Sequence, residues 1–454
     1  MEVILLKNKY DILIIGGVAA GTSAAASALR ENPSLNVAIF QKEPYISYGG
    51  CGLPYVLNGK VKEVDDLFAF TSEKFQEKKG AEVYTNYEAI DVDFEQKYVL
   101  VKGNMDRRKI FYDKLIISTG ASPIIPKFDV WGQEGIFKMR NPSDDEEILK
   151  FIEKNKPSHA TIIGGGFIGV EVAEVLIESG IKVTLIEAKE NILGDIEPEI
   201  HDEFSEYMIK NGVDLKTESM VENILKKERF IVKTEKESIE TDMIIISIGV
   251  KPNTDFLLNK NVNMLKNKAI IVDNYMRTNI EDVYAAGDCA TAYNILSGED
   301  EYIPLGTTSN KQGKIAGKNA VKGNVEEFKG VIGSLITKFL DMEYAKTGLT
   351  YEKAKELDYN VGSVYIKAKA RAGYYENAGN ISFKMIFDRS TGKILGGHFV
   401  GKEIHSRVNI IVSLIYSCGT VQELYNMDLP YSPPFSPVWD ITLIAASKAM
   451  KKVK

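Results

Sequence analysis

Two stretches of the chain repeat one pattern: a short apolar run, a glycine cluster, a helix of small residues and a second apolar run. The first is Tyr10 to Phe40 (YDILIIGGVAAGTSAAASALRENPSLNVAIF) and the second is Ala160 to Glu187 (ATIIGGGFIGVEVAEVLIESGIKVTLIE). A few β-branched residues running into glycine read as a buried parallel strand, and AEVLI-type spacing reads as a helix, so both segments are βαβ units. Two such units predict an α/β chain with two Rossmann-like dinucleotide-binding domains.

Between them, Lys114 to Gly120 (KLIISTG) reads as a strand ending in a tight turn, and Asp242 to Gly249 (DMIIISIG) repeats it after the second unit. The echo predicts one domain inserted into another. DVYAAGD (282–288) and a glycine-containing helix over about 307–321 then complete the outer domain. After Gly323 the pattern changes to alternating runs (VGSVYIKA, ISFKMIFD, ILGGHFV), a helix over 404–418 and the tail YSPPFSP, which read as a separate α+β domain. The 454 residues suit about three domains at roughly 100–200 residues each. The expected division is 9–119 with 250–323, then 120–249 inserted, then 324–454.

Lys and Arg number 56 against 63 Asp and Glu, a net charge of −7, and the two signs interleave. That lacks the basic stripe a nucleic-acid backbone needs. The three cysteines, at 51, 289 and 418, have neither CxxC nor CxxxxC spacing, so they suggest no disulfide framework and no metal site. A reducing, cytoplasmic setting is expected. The N-terminal MEVILLKNKYDILIIGG carries charges within its apolar stretch, unlike a secretory signal, and nowhere do ~18 apolar residues run together to cross a membrane.

A glycine turn between strand and helix lets backbone N–H groups approach a pyrophosphate at the positive helix end. Gly164, Gly166 and Gly169 complete GxGxxG, and Glu187 ends the next strand 18 residues beyond Gly169. An acid there accepts hydrogen bonds from an adenosine ribose 2′-hydroxyl and repels a 2′-phosphate, which favours NADH over NADPH; nearby Lys189 keeps NADPH possible. The first turn has Gly16 and Gly21 at its outer positions, but Val18 in the middle. Gln41 stands where an acid is expected, with Glu43 two residues on. Gln41 can serve as a neutral partner for a ribose hydroxyl, with a weaker bond than a carboxylate makes.

Ten residues beyond Gln41 lies Cys51, between glycines in SYGGCGLPY. A thiol so placed is open to approach, and at the head of a helix its pKa would fall; the competing reading is a buried cysteine acting as a small hydrophobe. Cys289 and Cys418 read as structural.

GGVAAG, SYGGCGLPY, TGASP, GGGFIGVE, DVYAAGDCA and YSPPFSPVWD together resemble the two-dinucleotide flavoprotein disulfide reductases, from about residue 9 to the C-terminus. The likeness is greatest to the single-cysteine branch that holds coenzyme A disulfide reductase, NADH-dependent persulfide or polysulfide reductases, NADH peroxidase and water-forming NADH oxidase. It implies a glutathione-reductase-like fold, a C-terminal α+β dimerisation domain and a homodimer. It also implies Gly16, Gly21 and Gln41 on the ADP half of FAD, Thr119, Gly120 and Arg140 along the flavin, Asp288 on the ribitol, and a helix near Thr307 aimed at the flavin pyrimidine. Gly164, Gly166, Phe167, Ile168, Gly169, Glu187 and Gly249 match the NADH site, with Phe167 where relatives often carry a gating tyrosine.

With neither CxxxxC nor a convincing His-Glu base pair, one cysteine must cycle between thiolate and a mixed disulfide, persulfide or sulfenic acid. His398 and Glu403 have HxxxxE spacing, but lie in a strand-like stretch and read as coincidence. CGLPY resembles the CoA disulfide and persulfide reductases. Tyr431 and Tyr374 or Tyr375 resemble tyrosines that those enzymes bring from the partner subunit to hold or protonate the leaving thiolate; packing at a dimer interface is the competing reading. Ser23, Ser27, Arg30 and Ser47 fall where the family grips coenzyme A, although Arg30 also suits a solvated helix. Gly50 departs from the asparagine that usually precedes the cysteine. The expected activity is electron transfer from NADH through FAD and Cys51 to CoA disulfide, CoA persulfide or polysulfide. The alternatives are an NADH oxidase or peroxidase with a Cys51 sulfenic acid acting on oxygen or peroxide, and a flavin redox sensor or electron-transfer partner.

Overall fold

In a computed structural model describing residues 7–454, the chain divides into two compact units. The first six residues of the N-terminal segment considered above lie outside the described residues. No helix among the described residues is long and apolar enough to cross a membrane.

The first unit comprises the chain up to Leu53, Val61–Ile124 and Val250–Val331. The apolar run before the first glycines forms the strand Lys9–Ile15, paired in parallel with Val37–Phe40 on one side and Arg107–Ile117 on the other. Glu82–Tyr84 and Val283–Ala285 add parallel neighbours, while Tyr98–Lys102 and Glu88–Asp93 extend the sheet as an antiparallel meander. Leu13, Ile14, Ile39, Ile116 and Ala285 are buried in its core. Parallel strands covered on both faces account for these unbroken apolar runs.

Helix Ala19–Glu31 packs on helix Gly306–Lys322 through small residues. A Cβ at Gly313 would lie 2.1 Å from the Ala20 carbonyl oxygen, and one at Gly317 equally close to that of Ala24. These glycines, four apart, bring the two backbones together. Gly317→Ala gains roughly 1 kcal/mol of helix propensity, but the clash with backbone costs more, so a net loss of about 1–2 kcal/mol is expected in denaturant unfolding.

The second unit comprises Pro54–Lys60, Ile125–Gly249 and Ile332–Lys454. Its parallel sheet runs Val213–Lys216, Lys182–Ile186, His159–Ile163, Met243–Ile246, Ile136–Lys138, followed in the chain's second half by an antiparallel sheet of Leu335–Phe339, Met342–Gly348, Ile394–Gly401, Asn380–Asp388 and Val361–Lys369. The helix Pro198–Lys210 ties the two sheets with carboxylates one turn apart: Glu199 pairs with Lys384 at 2.5 Å, and Glu203 accepts from Ser382 at 2.8 Å and from Tyr365. The fully buried Glu174 is held by Lys60 and Lys338.

Asp145, in the helix Pro142–Asn155, is fully buried and neither carboxyl oxygen has a partner. Burial, and after it the charge of Asp144, pushes this carboxyl up to about 8. The folded chain therefore holds the proton more tightly than the unfolded chain, and stability falls as pH rises from the ordinary carboxyl value through about 8. Asp145→Asn removes that titration. Its stability relative to wild type should climb between about pH 4 and pH 8, by on the order of a few kcal/mol, in unfolding measured across that range.

Candidate functional site

The first glycine turn is shaped by contacts that exclude side chains. Gly16 has φ +102°, and a Cβ there would lie 2.1 Å from the Ser118 carbonyl oxygen; a Cβ on Gly21 would lie 1.8 Å from that of Gly16. Gly17 N–H donates to Gln41 Oε1 at 2.7 Å, and Ser118 Oγ donates to the carbonyls of Ile15 and Gly16 at 2.9 and 3.0 Å. Helix Ala19–Glu31 begins at Val18 with no side-chain cap and no acid in its first turn. Its positive end therefore carries no internal counter-charge.

The second turn reproduces this arrangement. Gly164 has φ +107° and a Cβ would lie 2.4 Å from the Ser247 carbonyl oxygen, while a Cβ on Gly169 would lie 2.0 Å from that of Gly164. Gly165 N–H donates to Glu187 Oε2 at 2.8 Å, and Ser247 Oγ donates to the carbonyls of Ile163 and Gly164 at 3.2 and 2.8 Å. Gly166 opens helix Phe167–Glu178 with no side-chain cap, Phe167 and Ile168 are half-buried in its first turn, and nothing stands within 4 Å of where a Gly166 Cβ would be. The uncapped backbone N–H groups at this helix start therefore stand beside open space, the arrangement that anions favour at helix N-termini. Gly249, at φ +117°, closes the turn after the next strand, as Gly120, at φ +66°, does in the first unit. Ser118 and Ser247 escaped the sequence reading, although aligning KLIISTG with DMIIISIG superposes them.

Around the first turn, Thr119 Oγ1 donates to the Asn253 carbonyl at 2.8 Å, and Asn253 Nδ2 returns a bond to that of Thr119. Asp288 Oδ1 accepts from Ser309 Oγ at 2.9 Å, and Gly287 N–H donates to Gln312 Oε1, pinning the DVYAAGD turn to helix Gly306–Lys322. Thr307 is exposed at the start of that helix, which also lacks a side-chain cap. Arg140 alone among the residues matched to FAD belongs to the second unit. Of the residues matched to coenzyme A, Ser27 is 2 % exposed, Ser23 donates to Asn310 Oδ1 at 2.9 Å, and Arg30 is exposed in the last turn of its helix.

Cys51 is exposed and Cys289 is buried, where burial pushes its thiol up. The Cys51 loop is fixed by backbone bonds: Ser47 N–H to Gly17 O at 2.9 Å, Gly49 N–H to Leu67 O at 2.9 Å and Ala69 N–H to Ser47 O at 2.9 Å. These bring Ser47 onto the first glycine turn. The expected helix headed by Cys51 is instead a seven-residue 3-10 segment, Gly50–Val56, containing Pro54. Glycines and proline deny it the length of an α-helix and its dipole.

In the second unit the hydroxyls of Tyr374 and Tyr431, 79 % and 44 % exposed, lie 3.1 Å apart, and this hydrogen bond raises the pKa of Tyr431. Tyr375 stacks near the Arg371 guanidinium, which pairs with Glu403. His398 is buried, and burial first, then the charge of Lys346, pushes its pKa down to about 3. It is a neutral core residue and shares no base pair with Glu403.

Residues 10–313 match the model of the pyridine nucleotide-disulphide oxidoreductases, and residues 335–441 match that family's dimerisation domain. The chain is 35 % identical over 97 % of its length to a CoA-dependent NAD(P)H sulfur oxidoreductase of Pyrococcus abyssi, covering 98 % of it. It is 33 % identical over 97 % of its length to an NADH oxidase of Methanocaldococcus jannaschii, covering 99 % of that protein. The reduced CoADR-RHD of Bacillus anthracis superposes with a TM-score of 0.94 at 31 % identity, covering 99 % of this chain and 81 % of that one. With both glycine turns, the cysteine loop and the dimerisation domain in place, the chain belongs to the pyridine nucleotide-disulphide oxidoreductase family.

Proposed function

We propose that this oxidoreductase uses FAD and NADH, with NADPH as a possible substitute, to reduce CoA disulfide, CoA persulfide or polysulfide at Cys51, as a homodimer in a reducing cytoplasm. The observation that carries the reading is the exposed Cys51 in a loop anchored by Ser47 to the first glycine turn. The proposed division is FAD on 9–119 and 250–323, NADH on 120–249 and dimerisation through 324–454. Gly16, Gly21, Asp288 and the uncapped Gly306–Lys322 helix would hold FAD, and the Gly164–Gly169 turn with Glu187 would hold NADH. Bound there, FAD would supply the two-electron chemistry that links NADH oxidation to the reduction of oxidised sulfur.

The chain's own chemistry starts from the Cys51 thiolate. It attacks one sulfur of CoA disulfide, forming a Cys51–CoA mixed disulfide as the substrate S–S bond breaks and CoA thiolate leaves. In the proposed homodimer, the hydroxyl pair of the partner subunit's Tyr374 and the partner subunit's Tyr431, with the partner subunit's Tyr375 beside it in the chain, would hold or protonate that thiolate. Gly50 is not demanded by packing: a Cβ there would meet Tyr48 only at an ordinary 3.7 Å. Its missing side chain leaves Cys51 open to small polysulfides as well.

The similarity to an NADH oxidase over nearly the full chain supports a second reading, in which Cys51 cycles through a sulfenic acid with oxygen or peroxide as acceptor. Anaerobic turnover of the purified flavoprotein with NADH separates the two. Thiol or sulfide release with CoA disulfide or polysulfide supports the sulfur reductase; NADH consumption only with oxygen or peroxide supports the oxidase or peroxidase.

A further inference from the structure

The two glycine turns differ at the end of the second strand of each βαβ unit. In the second unit the acid stands at the strand end: Glu187 accepts from Gly165 N–H at 2.8 Å and from Lys189 N–H at 2.9 Å, so a carboxylate occupies the post itself and a cation follows two residues later. In the first unit the post is Gln41, 3 % exposed, and the residue two later is Glu43. The orientation of the Gln41 amide is dictated by its neighbours. Gly17 N–H is a donor, so Oε1 must face it, at 2.7 Å; Nε2 must then face an acceptor, and it donates to Glu43 Oε2. The intervening Lys42 pairs with Glu88 at 2.8 Å, and Glu43 Oε1 meets no partner among the described residues.

Resting on the FAD reading of the first turn, we infer that Glu43, not Gln41, supplies the anionic acceptor for the adenosine ribose hydroxyls of FAD. Gln41 is the buried post that fixes Glu43 while bracing the glycine turn. The negative charge found at the strand end in the nucleotide turn of the second unit is thus displaced two residues outward in the first. A ribose hydroxyl on Glu43 makes a charge-assisted bond that neutral Gln41 cannot make.

The test follows FAD release from the purified full-length flavoprotein on dilution, by the fluorescence of free flavin, with NADH affinity measured on the same samples. Glu43→Gln should weaken FAD binding about tenfold to a hundredfold and leave NADH binding unchanged. Glu187→Gln should do the reverse. Adding Gln41→Glu to Glu43→Gln should recover FAD binding, because it returns a carboxylate to the strand end beside the same Gly17 N–H. Wild-type FAD affinity in Glu43→Gln would overturn the inference and leave the FAD reading standing. A weakened variant whose flavin-stripped chain also melts lower, and which Gln41→Glu does not recover, would overturn it too. A wild-type chain that takes up no FAD would overturn both.

Discussion

Cys51→Ser should cut NADH-driven reduction of CoA disulfide by at least about a thousandfold, with FAD and NADH affinities unchanged. The mixed disulfide needs a sulfur that is both a good nucleophile and able to take up two electrons on release, and a serine hydroxyl is neither near neutral pH. The substitution should spare the fold. Cys51 is exposed, and its loop is held by backbone bonds from Ser47, Gly49 and Ala69 that do not involve its side chain. Steady-state rates in the absence of oxygen, compared with the rate at which NADH bleaches the flavin absorbance, separate loss of the cysteine step from loss of binding. Cys289→Ser and Cys418→Ser should both retain acceptor reduction.

Arg407→Ala should lower the stability of the C-terminal half by about 3–5 kcal/mol, read as a drop in the thermal or denaturant midpoint. The side chain of Arg407 is 5 % exposed and donates to Asp440 Oδ2 at 2.8 Å, the Glu403 carbonyl at 2.8 Å and the Ala370 carbonyl at 2.7 Å. Asp440, 9 % exposed, uses its other oxygen to cap helix Ile441–Met450 through Thr442 N–H and Oγ1. Removing the guanidinium strands a buried carboxylate and two carbonyls. Ala370 opens the segment bearing Tyr374 and Tyr375, and Asp440 follows the tail bearing Tyr431, so one side chain secures both tyrosine segments. Arg407→Lys keeps the charge but not the fork that reaches three acceptors, and should fall between the two.

Local pattern made the two βαβ units, the helix at 306–322 and the C-terminal strands legible, because apolar runs, glycine turns and small-residue helices are set by residues near one another in sequence. The meander of Glu88–Asp93 and Tyr98–Lys102 was not read, nor was the full length of Arg107–Ile117, whose outer half alternates charged and apolar residues as a half-exposed strand does. The glycines and Glu187 were legible as a motif, but Ser118 and Ser247 act on the carbonyls of Ile15 and Gly16 and of Ile163 and Gly164, about a hundred and about eighty residues earlier. The hydrogen bond between Tyr374 and Tyr431 joins residues 57 apart, and only packing of the C-terminal sheet brings them together. The cysteine loop shows the limit most clearly. Its flanking glycines pointed to an accessible thiol, and Cys51 is exposed, but a proline four residues after Gly50 turned the expected helix into a short 3-10 segment.

The central claim, that Cys51 carries the electrons to sulfur as a mixed disulfide, is tested most directly by the mass of the protein after anaerobic exposure to CoA disulfide, with the modified peptide then sequenced. The account predicts one CoA moiety on the Cys51 peptide, absent in Cys51→Ser and released as free thiol when NADH is added. An unmodified Cys51 under those conditions, with a sulfenic acid formed there on exposure to peroxide, would contradict it and assign the chain to oxygen or peroxide reduction.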